Sequence, residues 1–177
     1  MKRGTFFEDA FAEAFAKPER ASVESRDRAF ARLLVATVLR RHGELAHIVG
    51  AHLQKPLPEP QGWVWQILLA GAAQLLFLET PPHAAIGLAV DQCKADPNAR
   101  RFDKLVNAVL RRVSDKGRAA LDDLDPVALN VPAWLFAGWE KTYGPERARR
   151  VALASLEEPP LDVTVKGDPA EWAAKLQ

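Results

Sequence analysis

Apolar and polar positions in this chain repeat with the period of helices. The clearest case runs from Arg100 to Lys116. There Phe102, Leu105, Val106, Val109, Leu110 and Val113 recur at i, i+3, i+4, i+7, i+8 and i+11, the spacing of one apolar stripe. At about 100° per residue, Arg100, Lys104, Asn107 and Arg111 fall on the opposite side, with Arg101 and Arg112 flanking them. The stretch RDRAFARLLVATVLRRH, Arg26 to His42, carries Phe30, Leu33, Leu34, Thr37 and Val38 on one side and Val35 and Leu39 on the other, which predicts a central helix with basic ends. A third helix is predicted in GWVWQILLAGAAQLLFLET. Gly71 within it lets a neighbouring backbone approach, at some cost in helix propensity.

Prolines cut the pattern into helix-sized lengths, at Pro18, in KPLPEP, in TPPH, and at Pro97, Pro126, Pro132 and Pro145. Thr80 is placed to cap the next helix, with Pro81 in its first turn. Beyond Pro126, PAWLFAGWEKTYG and PERARRVALASLEE read as two short helices. LDVTVK, residues 161–166, then alternates as a strand does, and the Asp168–Pro169 pair starts a last helix. A single strand needs partners, so the chain is expected to end inside a second folding unit. The expected division is a helical domain over 1–125, a helical linker over 126–160, and the start of a truncated α+β subdomain over 161–177.

Composition narrows the class more than it names a function. With 48% hydrophobic and 27% charged residues the chain is an ordinary globular protein, and a net charge of +1 excludes general polyanion binding. Cys93 is the only cysteine, so no internal disulfide can form, which fits a reducing cytoplasm. Acids interrupt the apolar start MKRGTFFEDAFAEAF, which argues against a secretory signal, and the most apolar window, Trp63 to Leu78, is shorter than the ~20 residues a membrane span needs.

Chemistry-bearing patterns are sparse. His42, His47 and His52 are five apart, not the three or four that share a helical face, so they make no evident metal set. Cys93 beside Lys94 reads as a half-buried helical thiol, and His83 in the first turn after the prolines reads as structural. No GxGxxG, GxxxxGK[ST] or GxSxG occurs. What remains is segregated charge: residues 100–118 hold seven bases against two acids, and 26–41 hold five against one. Such a face can neutralise phosphates, and Asn107 can hydrogen-bond a base or the backbone, although a basic helix face is also an ordinary solvated surface.

GAAQLLFLETPPHAAIGLAVDQCK followed by FDKLVNAVLRRV resembles the NusB family of helical RNA-binding domains. The matching features are Gly71, Gln74 and Leu75, then Pro82, Ala84 and Ala85, then Val106, Asn107, Val109, Leu110 and Arg111. RDRAFARLLVATVLRRHGELAHIV is similar to the family's preceding helix pair, so the resemblance covers about residues 20–115. Freestanding NusB antitermination factors stop soon after the last of these helices. This chain continues with NVPAWLFAGWEKTYGPERARRVALASLEEPPLDVTVK, which is similar to the linker and first strand of RsmB/Sun-type ribosomal RNA cytosine methyltransferases of bacteria.

That resemblance implies an all-α, NusB-like helical bundle, followed by a linker helix pair and one strand. It also implies a parent enzyme that moves a methyl group from S-adenosylmethionine to carbon 5 of a cytosine in 16S rRNA through a cysteine adduct, the helical domain helping to hold the RNA. The family's glycine-rich cofactor motif and Pro-Cys pair are absent, and Cys93 follows Gln92, so no catalytic or cofactor-binding residue transfers. The family's domain usually begins with one more helix, whereas this chain starts at KRGTFFEDAF; trimming at both ends is expected. A missing helix would expose the Phe30/Leu34 side and open a route to a homodimer.

The candidate RNA contacts are Arg100, Arg101, Lys104, Asn107, Arg111 and Arg112, with Arg26, Arg28, Arg40 and Arg41 behind them. Asn107 matches the family motif equally well as an RNA contact or as a tie between helices. The expected partners are 16S rRNA and the chain's own catalytic half, with no membrane. Two rivals stand beside this reading: an antitermination factor that binds a transcript and a ribosomal protein, and a module that only docks on the catalytic half.

Overall fold

The structure, a computed structural model, describes residues 5–20, 22–59, 62–160 and 164–175. Its helices are α1 (Phe7–Phe15), α2 (Ser25–Arg40), α3 (His42–Ala51), α4 (Val64–Leu76), α5 (Pro82–Ala95), α6 (Asp103–Asp122), α7 (Pro126–Asn130), α8 (Ala133–Tyr143), α9 (Pro145–Leu156) and α10 (Pro169–Lys175). Short 3-10 turns lie at Pro18–Arg20 and Arg100–Phe102, so the predicted helix over 100–116 begins as a 3-10 turn and runs on to Asp122. The described residues are all-α, the class the family resemblance implies.

The core is built around α4, which is apolar on every side and buries nine residues, from Val64 to Leu76. Onto it α3 lays Leu45, Ile48 and Val49, α5 lays Ala85, Ile86, Ala89 and Cys93, and α6 lays Val106, Val109, Leu110 and Val113. Each such Val, Leu or Ile stabilises the fold by about 1.5–3 kcal/mol. Gly71 receives Leu110: a Cβ there would stand 2.6 Å from Leu110 Cδ1. The close approach expected at Gly71 is therefore made by a side chain rather than by a backbone.

Three expectations fail for physical reasons. The helix over 26–42 is not central, since α2 buries only Ala36 and Thr37 and leaves Phe30, Val35 and Leu39 between 39% and 49% exposed. Its apolar residues are spread around the cylinder, so no one face could cover them all, and α4 takes the centre instead. Thr80 is not the cap of α5. Pro81 holds that place with Pro82 at the first helical position, while the Thr80 N–H donates to the Gln74 carbonyl at 3.1 Å and closes α4. Of the predicted strand, 161–163 lie outside the described residues, and Thr164 to Lys166 form no strand, with no strand to pair with among the described residues.

Two features went unforeseen. Phe7, Phe11 and Phe15 stack along α1, and Arg28 and Arg32 of α2 sit over the rings of Phe15 and Phe7, with Arg32 also paired to Glu8. Helices α7 to α9 gather a second apolar cluster of Val127, Val131 and Ala152 with Leu135, Phe136 and Trp139. Asp125 starts α7 by accepting from the Val127 N–H at 3.0 Å, and Arg149 beside it holds its carboxyl below the usual carboxylate range.

A polar joint fastens this cluster to the bundle. Asn130 Oδ1 accepts from the N–H groups of Gly43 and Glu44, at 2.8 and 3.2 Å, capping α3 from outside its own sequence. Its amide donates to Glu44 Oε2 at 2.6 Å and to the Pro126 carbonyl at 2.9 Å. Arg41 completes the joint by pairing with Glu44 at 3.2 Å and Glu157 at 2.7 Å. Among the described residues no helix is long and apolar enough to cross a membrane.

Candidate nucleic-acid interface

The predicted basic face lies where α5 and α6 run side by side. A groove of about 730 Å³ opens between them, lined by Pro82, His83 and Val90 from α5 and by Lys104, Asn107 and Arg111 from α6. The proline that starts α5 and the polar face of α6 thus meet in one place. The groove is not uniformly basic, because Asp91, Asp103 and Asp115 line it as well. Asn107 is half-buried, and its Oδ1 accepts from Arg111 Nε at 3.3 Å. Asn107 therefore steadies the guanidinium one turn away on its own helix; among the described residues its side chain makes no hydrogen bond to another helix.

The other candidates are dispersed. Arg100 is exposed in the turn before α6, and Arg101 beside it lies over the Phe102 ring at 4.8 Å. Arg112 points to the opposite side of α6, into a separate groove with His52 and Lys55. Arg26 and Arg28 are exposed on the first turn of α2, and Arg40 is half-buried on its last. Arg41 also lies over the Phe77 ring at 5.1 Å, and its side chain is only 15% exposed. None of the four α2-side arginines lines either groove of α6.

The single thiol is sealed. Cys93 is fully buried and donates to the Ala99 carbonyl at 3.0 Å; burial, with the Asp103 and Asp96 carboxylates, pushes its pKa up. A thiol held protonated inside a core is a poor nucleophile. Among the described residues no group of three His, Cys, Asp or Glu is placed to hold a metal.

This bundle, with its proline-started α5 against a valine-rich α6, is the helical domain of a known class: the sequence model of the NusB family matches residues 1–115. The chain belongs to the NusB family. Among its curated relatives, ribosomal RNA small subunit methyltransferase B of Xanthomonas campestris pv. campestris is 32% identical over 156 residues, covering 86% of this chain and 34% of that protein. The proteins of the same name from Escherichia coli O1:K1 and Shigella flexneri are 29% and 27% identical over 147 and 146 residues, each covering 81% of this chain and 34% of its own length. The chain spans about a third of the length of the curated relatives it matches.

The family motif sorts itself in the structure. Gly71, Gln74, Ala85, Val106, Val109 and Leu110 are core positions, and only Asn107, Arg111 and Pro82 face the groove. Most of what makes the sequence familiar is helix packing. His52 and Lys55, which no sequence pattern singled out as contacts, face α6 because the segment after α3 folds back on it.

Proposed function

We propose that this chain is the RNA-holding helical part of a 16S rRNA cytosine-C5 methyltransferase. The observation that carries the reading is the extent of the similarity. The match to the Xanthomonas methyltransferase covers 156 residues, more than the 115 of the NusB match, so it continues beyond α6 into the helices that follow. A freestanding antitermination factor has no counterpart to that continuation. In this reading residues 1–125 hold RNA, 126–160 connect, and 161–177 open the catalytic half.

S-adenosylmethionine would serve the whole enzyme. The described residues do not fit it: they contain no glycine-rich turn between strand and helix, and their one thiol is buried. This chain's share of the reaction is to present basic side chains to phosphates and so place the rRNA. The test is a titration of this chain with a 16S rRNA fragment over a salt series. Affinity that falls steeply as salt rises supports the reading, since each neutralised phosphate releases counterion. No binding at low salt refutes it, and recovery of a small ribosomal protein without 16S rRNA in a pull-down would favour an antitermination factor.

A further inference from the structure

The geometry points to a phosphate-binding groove on the other side of α6, where His52, Lys55 and Arg112, with Lys116 beside them, hold the RNA backbone. The inference rests on the RNA-holding role proposed above and names where that role is performed. The groove, of about 320 Å³, lies between residues 52–58 and α6. Its walls are apolar, including Leu53, Leu57, Leu105 and Val109, and its polar side chains are His52, Gln54, Lys55 and Arg112. Among the described residues no carboxylate lines it; Glu59 is the nearest acid along that segment.

Low-dielectric walls around charges of one sign concentrate a field, which is what a bound phosphate needs. The groove toward α5 lacks this property, because Asp91, Asp103 and Asp115 stand among its bases. A second observation agrees. The pKa of His52 lies below its ordinary value, held there by burial and by the positive charges of Arg112 and Lys116. Those two residues are four apart on α6 and so share a side. The imidazole is consequently neutral at neutral pH when the groove is empty.

A phosphate reverses that balance. Its negative charge favours the imidazolium, so the pKa of His52 is higher in the complex than in the free chain. A group that gains a proton on binding tightens the complex as pH falls through the bound-state pKa, and the gain levels off below the free-state pKa. The affinity for RNA therefore rises as pH falls.

The experiment is fluorescence anisotropy of a labelled 16S rRNA fragment with this chain at pH 8 and pH 6, repeated with Arg112→Gln, His52→Gln and, as a control exposed on α8 away from both grooves, Lys141→Gln, each checked for unchanged helicity. Arg112→Gln is expected to weaken binding about tenfold and to lower the salt slope by about one. His52→Gln is expected to bind normally at pH 8 and to lose the gain at pH 6, and Lys141→Gln to stay within about twofold of the parent. If the parent chain binds RNA while Arg112→Gln and His52→Gln bind as it does at both pH values, the groove is wrong and the RNA-holding role stands. If the parent chain binds no RNA at low salt, that role itself falls. Inorganic phosphate shifting the His52 ring resonances without any RNA binding would also overturn the assignment, leaving a small-anion site.

Discussion

The two sides of α6 both carry bases and differ in the acids that stand among them. Toward α5, Lys104 and Arg111 share their groove with Asp91, Asp103 and Asp115; toward residues 52–58, Arg112 meets His52 and Lys55 with no acid lining the described groove. Counting bases in sequence favours the α5 side, where Lys104 and Arg111 of α6 align with Arg100 of the turn before it. Counting what the neighbouring elements contribute favours the other. Two opposite charges about 4 Å apart near a surface attract by roughly 4 kcal/mol before desolvation, so nearby acids can consume much of what a base offers a phosphate. The charge of one helix is therefore a poor guide to a polyanion site until its neighbours are known.

The comparison is broken most severely by removing the helix that carries both sides. Val109 is 1% exposed, and its side chain belongs to the core. Val109→Asp buries a carboxylate with no partner, at a cost of about 3 kcal/mol or more, and is expected to unfold the bundle. Far-UV circular dichroism reads the outcome. A stable, fully helical variant would mean that α6 does not bury this stripe.

A smaller loss separates stability from binding. Asn130→Ala removes the cap of α3 and one partner of Glu44, which is only 3% exposed. Leaving those groups unmatched is expected to cost about 1–3 kcal/mol, seen as a lower urea midpoint. RNA affinity measured on the folded variant should stay within about twofold, since Asn130 lines neither groove. A larger drop would carry the interface out to the joint with α7.

The direct contrast uses charge reversal on each side. Arg112→Glu with Lys116→Glu is expected to weaken RNA binding by about thirtyfold, near 2 kcal/mol, and Lys104→Glu with Arg111→Glu by only about threefold, both with normal helicity. All four residues are exposed, so neither pair should disturb the core. Equal losses would mean that the RNA spans the whole outer face of α6. A reversed order would return the site to the α5 groove, with the Asn107-steadied Arg111 as its anchor.

How much of this was legible in the sequence depends on how far apart the cooperating residues lie. The apolar stripe of α6 was readable because its period is local, and Val106, Val109, Leu110 and Val113 are all buried. The position of α2 was not, because burial depends on which helix wins the centre, and α4 takes it with a sequence that carries no charged residue. The cap of α3 lies 87 residues away at Asn130, beyond the reach of any capping motif. At the candidate site the sequence aligned Lys104, Asn107 and Arg111 correctly, but the acids opposite them come partly from α5. His52 was weighed only as a metal ligand with the wrong spacing. Its neighbours Arg112 and Lys116 lie 60 and more positions further on, and only folding brings them together.

If acids facing the α5 groove are what weaken it, removing them should narrow the difference between the two sides. Asp91 and Asp115 both line that groove and are exposed, so Asp91→Asn with Asp115→Asn changes two charges without emptying the core. The double variant is expected to bind the 16S rRNA fragment about two- to fivefold more tightly at low salt, with the gain fading as salt screens the groove. Adding Lys104→Glu with Arg111→Glu to that background should then cost more than the same pair costs in the parent chain, because bases released from their acids have more to lose. Measured as a cycle, this coupling isolates the acids from any general effect of net charge. An equal gain from two Asp→Asn changes outside α5 and α6, at Asp9 and Asp168, would show that net charge alone moves the affinity, and the contrast between the two sides would then owe nothing to the acids of the α5 groove.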